Sequence, residues 1–259
     1  MGLFSPCTCR RGFMQKLGGT LAAIPLLGVA TRMVKAQPAA AGGDMSMKSH
    51  VIDTGADLLQ SKAPINAMSV YLNGFHFYAD DMGRQVEAHH FCTHLTEDLH
   101  QCVIYDANDK NARLIGIEYI VSEKLFKTLP DDEKKLWHSH DFEIKSGELI
   151  IPGVPEQIER TAFKDLVTTY GKTWHTWQID RGDMVPLGIP QLMMGFTKDG
   201  QISQTLLKQR DDRMKVSSAD RRKDREAIPM PTVDPLANSW QGGKSMQTKM
   251  EQVAMKNML

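Results

Sequence analysis

The chain has 259 residues, of which 41% are hydrophobic and 24% charged, a composition typical of a globular protein with a sizeable core. Its formal net charge is zero, but the first 36 residues carry five basic side chains and no acidic one, which leaves 26 basic against 31 acidic residues in the remainder. A mildly acidic domain has no electrostatic reason to bind nucleic acid, so that class of partner is excluded.

Residues 1–36 are predicted to be an export signal. Arg10-Arg11 precede an uncharged stretch from Leu17 to Ala30, and Val34-Lys35-Ala36 fits a cleavage site. Paired arginines followed by an aromatic residue are typical of a twin-arginine signal, so we expect a periplasmic or secreted protein. A mitochondrial presequence is the alternative, because it too is basic and free of acids. The apolar run is too short to span a bilayer, and no transmembrane segment is expected in the mature chain.

The mature chain divides into three parts. Residues 37–52 are rich in alanine and glycine at their start and predict a flexible linker. Residues 53–235 predict one domain, and 236–259 a C-terminal tail. Within the tail, apolar residues recur at helical spacing and predict an amphipathic helix from Lys244 to Met258 that contacts either the domain itself, a partner or lipid.

The first half of the domain favours antiparallel strands. Val86–Leu95 and Leu99–Tyr105 predict a hairpin, and the β-branched segment Arg113–Val121 predicts a central strand. Ser122 is a suitable N-cap for a short helix from Glu123 to Thr128. A second short helix is expected to begin at Pro130.

The second half mixes both element types. We predict a hairpin of His140–Lys145 with Leu149–Ile151, a helix over Pro155–Tyr170 ended by Gly171, a strand over Thr173–Ile179 and a polar helix over Gln204–Met214. Strands and helices follow no regular βαβ alternation. The predicted fold is therefore α+β, a single domain with a mainly antiparallel sheet and helices packed on one side.

Histidines are the main candidates for chemistry. His138 and His140 are two residues apart on a predicted strand, close enough to bind one ion. With His175 and His89 they form a predicted site for a divalent metal, zinc or iron, on the basis of ligand type. The supporting carboxylates are Glu87, Glu118 and Glu143. The alternative is that each histidine hydrogen-bonds an ordinary structural neighbour.

Strand alternation decides which of these groups share a face. Glu87 and His89 are expected on one face of their strand, with His90 and Cys92 on the other. Glu143 is expected to point away from His140, because an odd number of residues separates them on a strand. Cys92 and Cys102 lie on the two strands of the predicted hairpin and form either a cross-strand disulfide or two buried free thiols.

Several segments resemble one known family. They are residues 84–92 (RQVEAHHFC), 111–122 (NARLIGIEYIVS), 133–140 (EKKLWHSH), 170–178 (YGKTWHTWQ) and 180–183 (DRGD). Together they are similar to the oil-body-associated proteins of plant seeds, a family that was first catalogued as a domain of unknown function and has bacterial members. The resemblance implies association with lipid droplets, but no catalytic residues. The export signal departs from the plant pattern, which indicates a bacterial-type member without a droplet location.

Two functions are consistent with these features. The first is an exported, non-enzymatic protein with peripheral contact to a lipid or envelope surface, which we favour because no nucleophile elbow, phosphate loop or dinucleotide motif occurs. The second is a metal-binding protein or metal-dependent enzyme that uses the histidines. The second function requires that histidines from separate segments meet in space.

Overall fold

The computed structural model describes residue 40 and residues 43–257. The predicted export signal and the start of the predicted linker lie outside the described residues, so export stays a prediction. The end of the predicted linker is helical, since helix α1 spans Met47–Leu59 and the Ser46 side chain caps it by accepting from the Ser49 amide. A short helix α2 (Ala63–Asn66) follows. Within the described residues, no helix has the length and hydrophobicity needed to cross a membrane.

An antiparallel sheet forms the body of the domain. Its strands are β1 (Val70–Tyr78), β2 (Asp81–Thr96), β3 (Leu99–Tyr105), β4 (Leu114–Val121), β5 (His138–Ser139), β6 (Tyr170–His175) and β7 (Gln191–Met194). The strand order is β4-β3-β2-β1-β7-β6, and the sheet closes because β6 also pairs with β4. The short strand β5 pairs with the start of β6, which β7 does not reach. The α+β class is confirmed, and the sheet is a closed six-stranded barrel rather than an open sheet.

Helices cover the barrel at its ends and along one flank. They are α3 (Glu123–Phe126), α4 (Asp131–Lys134), α5 (Asp141–Ser146), α6 (Glu156–Leu166), α7 (Gln204–Met214) and α8 (Ser218–Asp224). Ser122 caps α3 as the sequence predicts, and Ser203 caps α7 in the same way. Gly147 ends α5 with a φ of 83°, a conformation that favours glycine.

The barrel has apolar packing inside and outside. Near one end, interior residues of β1 to β4 pack against Ile144 of α5 and Phe163 of α6. Near the other end, Tyr78, Ile104 and Met193 fill the interior. On the outer surface, Phe75 and Phe77 of β1 pack with residues of β7 and α7. Strand β1 is therefore buried on both faces, which removes the polar–apolar alternation by which a strand is recognised in a sequence.

The predicted elements of the first half are confirmed, including the β2–β3 hairpin and the central strand β4. Two predictions in the second half are wrong. His140–Lys145 does not form a hairpin strand, because His140 is the N-cap of α5. The helix over 155–170 ends at Leu166, and Gly171 lies within β6 instead of ending the helix.

The C-terminal tail also differs from its prediction. Residues 244–257 have no helix, so the amphipathic helix predicted from Lys244 is wrong over the described residues. Part of the segment contacts the barrel, where the Gln247 side chain accepts from the Leu192 amide of β7. The boundary predicted at 235 also falls inside the packed domain, because Asn238 hydrogen-bonds Ser139 and Trp240 packs on Phe77.

Candidate metal centre

The carboxylate of Glu118 lies at the centre of a buried polar cluster inside the barrel. Glu118 belongs to β4, and only 2% of its surface is exposed. In register, it faces Cys102 of β3 on one side and Thr173 of β6 on the other. A carboxylate in such a position needs compensating groups, since an isolated buried charge is very costly.

Four imidazole nitrogens surround this carboxylate. The Nε2 atoms of His90 and His76 lie 2.8 and 3.8 Å from Glu118 Oε2. The Nε2 atoms of His140 and His138 lie 3.2 and 3.5 Å from Glu118 Oε1. Ligand atoms around a tetrahedral zinc ion with bonds of about 2.0–2.1 Å lie about 3.3 Å apart, so the 3.2 and 3.5 Å spacings at Oε1 are compatible with groups that share an ion.

Two glycines make room for the cluster. A Cβ atom on Gly171 would lie 2.0 Å from Glu118 Oε1 and 2.7 Å from His140 Nε2. A Cβ atom on Gly195 would lie 2.5 Å from Glu143 Oε1 and 3.0 Å from His138 Cδ2. Glycine in or beside a strand often marks a close approach of other groups to the backbone, and here the approaching groups are the side chains of the cluster.

Several of the imidazoles lack ordinary partners among the described residues. His138 is fully buried, and neither of its ring nitrogens has a hydrogen-bond partner. The same holds for both nitrogens of His90, whose short contact with Glu118 is not aligned as a hydrogen bond. Buried polar atoms nearly always have a hydrogen-bond partner, so these nitrogens indicate a ligand that the described residues do not supply.

A threonine fixes the orientation of His140. The Thr169 hydroxyl donates its only proton to the Leu166 carbonyl at 2.7 Å, so it accepts the Nδ1 proton of His140 at 2.8 Å. In the neutral ring, Nε2 then presents a lone pair to Glu118 Oε1. Two lone pairs that face each other at 3.2 Å repel, and a cation between them converts the repulsion into attraction.

Burial favours the neutral form of three of these histidines. It lowers the pKa of His138 to about 3 and that of His175 to about 3, while burial and the neighbouring imidazole of His90 hold the pKa of His76 well below its usual value. Neutral imidazoles and an ionised carboxylate are the protonation states in which these groups bind metals.

A small cavity adjoins the cluster. Its volume is about 20 Å³, and its polar lining consists of His76, His90, Glu118, His140 and Glu143. The rest of its wall is mainly apolar, with Leu72, Phe75 and Ile120 among the lining residues. A cavity of this volume holds one water-sized ligand and no organic molecule.

Most of the residues proposed from the sequence meet at this site. His138, His140 and His175 converge with Glu118, and Glu143 joins them because α5 turns its side chain back toward the histidines. The expectation that Glu143 points away from His140 is therefore wrong, since it assumed a strand where the chain is helical. His175 lies behind His76, with its Nε2 3.3 Å from His76 Nδ1.

His89 and Glu87 do not join the cluster. Both lie on the opposite face of β2, where His89 Nδ1 is 2.7 Å from the Tyr71 hydroxyl and its Nε2 is 3.2 Å from Glu87. Glu87 also pairs with Arg213. These two residues have ordinary structural partners, and the adjacent His90 is the one that faces Glu118.

Two site residues were missed from the sequence. His90 shares its strand face with Cys92, and the only signal was that cysteine is a residue type that is often buried. His76 lies on β1, a strand that the sequence did not predict, and the signal was a single histidine within an aromatic run. The structure joins Cys92 and Cys102, which face each other across β2 and β3, in a disulfide just beyond His90 in the barrel.

Comparisons with known proteins identify the family. The family model described as "Protein of unknown function (DUF1264)" matches residues 62–229. Oil body-associated protein 1B of Arabidopsis thaliana is 49% identical over 221 residues, which is 85% of this chain and 91% of that protein. The chain belongs to the oil body-associated protein family. Oil body-associated protein 1A of Zea mays is also 49% identical, over 78% of this chain and 85% of its own.

A third similar protein belongs to the same family. Oil body-associated protein 2A of Arabidopsis thaliana is 42% identical over 82% of this chain and 90% of its own length. No solved structure matches the chain. The resemblance seen in the sequence motifs is thereby confirmed at the level of the family. The barrel and its histidine cluster lie almost wholly within the matched residues.

Proposed function

We propose that this oil body-associated protein binds a divalent transition metal, zinc or iron, inside its barrel. The observation that carries the proposal is His138, which is fully buried with two unpartnered ring nitrogens and has its Nε2 3.5 Å from the Glu118 carboxylate. Imidazole and carboxylate ligands suit both metals. Hydrogen bonding at the far nitrogen of His140 and of His76 supports the same function, because metal-bound histidines are usually held in this way.

Elemental analysis of protein purified at neutral pH without an affinity tag tests this function. We expect at least about one zinc or iron per chain, retained on dialysis, because a site of this burial releases its ion slowly. The variant Glu118→Gln keeps the side-chain volume but loses the charge, and we expect it to lose the metal. Glu87→Gln is the matched control, since Glu87 also contacts a histidine but lies outside the barrel. Less than about 0.1 metal per chain in the wild-type protein would refute the proposal.

We also propose peripheral contact with a lipid surface, on the evidence of α1. None of its residues is buried, and its apolar residues cover one side of the helix. These residues are Met47, Val51, Ile52, Leu58 and Leu59, and each is more than half exposed. An amphipathic helix whose apolar side is exposed among the described residues is suited to the interface of a lipid surface. The names of the related plant proteins refer to oil bodies, which supports the same class of partner.

Flotation with phosphatidylcholine vesicles and with triacylglycerol emulsions tests the lipid proposal. The double variant Val51→Asp/Leu58→Asp is expected to lose flotation, because it introduces two charges into the apolar side of α1. The control is Asp53→Ser/Asp57→Ser on the polar side, which is expected to float as well as the wild-type protein. Equal flotation of all three proteins would remove α1 from the proposal.

A further inference from the structure

The two oxygens of the Glu118 carboxylate face different pairs of histidines. Oε1 lies 3.5 Å from His138 and 3.2 Å from His140, whereas Oε2 lies 2.8 Å from His90 and 3.8 Å from His76. A carboxylate that binds one ion through both oxygens directs them at the same ligand set. Glu118 directs them at two separate sets, which is the arrangement of a carboxylate between two ions.

The spacing of the ligand atoms defines two overlapping groups that share His138. His76, Glu118 and His138 offer atoms that all lie within 4.8 Å of one another, and so do His138, His140 and Glu143. A four-coordinate ion cannot use all of these side chains together with His90. For a four-coordinate ion such as zinc, the number of potential ligands therefore exceeds what one ion requires.

On the basis of the metal-binding function proposed above, we propose that the barrel holds two divalent transition-metal ions bridged by Glu118. The first ion is bound at Oε1 by His138, His140 and Glu143. The second is bound at Oε2 by His90 and His76. Paired metal sites of this kind place their ions about 3.5–4 Å apart.

The hydrogen bonds behind the cluster are consistent with this assignment on both sides. On the first side, Thr169 occupies Nδ1 of His140 and leaves Nε2 toward Glu118. On the second side, His175 occupies Nδ1 of His76 and leaves Nε2 toward the same carboxylate. Thr169 and His175 are thus positioning residues, one for each ion.

The adjoining cavity sets the class of ligand that the two ions accept. With about 20 Å³ available, it admits a ligand the size of one water molecule. The cavity touches His90 and His76 from the second side and His140 and Glu143 from the first, so such a ligand reaches both ions. We assign water or hydroxide as that ligand.

Metal stoichiometry distinguishes this inference from the function on which it rests. Metal-free protein is titrated with Mn²⁺ under anaerobic conditions, and bound metal is counted after gel filtration. We expect two ions per chain and an electron paramagnetic resonance spectrum of two coupled Mn²⁺ ions. One ion per chain with an uncoupled spectrum would overturn the paired site while leaving metal binding intact. No bound ion at all would overturn both proposals.

Two variants test the assignment of ligands. His90→Gln and His140→Gln each remove one ligand from one side, and each is expected to retain one ion and to lose the coupled spectrum. His89→Gln is the matched control, a buried histidine on the neighbouring position of β2 that faces away from Glu118, and it is expected to keep both ions. Loss of all metal from His90→Gln with retention of both ions by His140→Gln would overturn the two-sided arrangement. The metal count and the spectrum of the wild-type protein do not depend on any variant, so they test the paired site even if a substitution prevents folding.

Discussion

Gly171 gives the sharpest test of how tightly the barrel holds its ligands. The residue lies in β6, where its neighbours are extended and where alanine is conformationally tolerated. Gly171→Ala would place a Cβ atom 2.0 Å from Glu118 Oε1, whereas ordinary contact begins at 3.4 Å, so the carboxylate must move by about 1.4 Å. Metal–ligand distances tolerate only about 0.2 Å.

We therefore expect Gly171→Ala to weaken metal binding by at least about 100-fold, measured by competition with a chromophoric chelator. The overpacking also costs about 1–3 kcal/mol of stability, measured by urea denaturation. Gly74→Ala is the control, because its Cβ would meet only the end of the Leu149 side chain, at 3.0 Å. It is expected to lose stability but to keep its metal. Wild-type metal affinity in Gly171→Ala would refute the geometry of the site.

Three further predictions concern stability. Burial raises the pKa of Glu148 to about 8, above its unfolded value, so its contribution to stability is present below about pH 4.5 and is lost as pH rises to about 8. Glu148→Gln should therefore be on the order of 3–5 kcal/mol more stable than the wild-type protein at pH 9 but not at pH 4. Equal pH profiles of the two proteins in thermal denaturation would contradict this prediction. The Cys92–Cys102 bond closes a loop with a sequence separation of 10, so replacing both cysteines with alanine should lower the free energy of unfolding by about 3 kcal/mol, measured by urea denaturation. An unchanged midpoint of urea denaturation would argue against a disulfide. Arg210 is fully buried and donates hydrogen bonds to Asn73 and to two backbone carbonyls. Arg210→Met should therefore lower the free energy of unfolding by about 3–5 kcal/mol. A calorimetric Tm equal to that of the wild-type protein would contradict this prediction.

Local signals in the sequence predicted much of the fold. The β2–β3 hairpin, the strand β4 and the capped helices α3 and α7 depend on residues within a few positions of one another, and these elements were found. Closure of the barrel depends on the pairing of β4 with β6, whose paired residues are 49 to 59 positions apart. No short-range pattern encodes such a pairing, so the sequence predicted an antiparallel sheet without predicting its closure.

The candidate site was predicted in part, for a related reason. His138, His140, His175 and Glu118 were chosen from residue type and local spacing, and they meet because the barrel is closed. The choice of His89 over His90 depended on which face of β2 is internal. Alternation separates the two faces but does not say which one faces the core. The structure identifies the internal face of β2 as the one with His90 and Cys92, because Cys92 pairs with Cys102 inside the barrel.

The most direct test of the metal centre is an anomalous diffraction experiment on crystals of the native protein. Data collected on either side of the absorption edge of the bound metal locate each ion independently of any assumed chemistry. We predict two anomalous peaks about 3.5–4 Å apart, one beside each oxygen of Glu118. A featureless anomalous map in the barrel, with the histidine rings held by protein groups or water, would contradict the metal centre altogether.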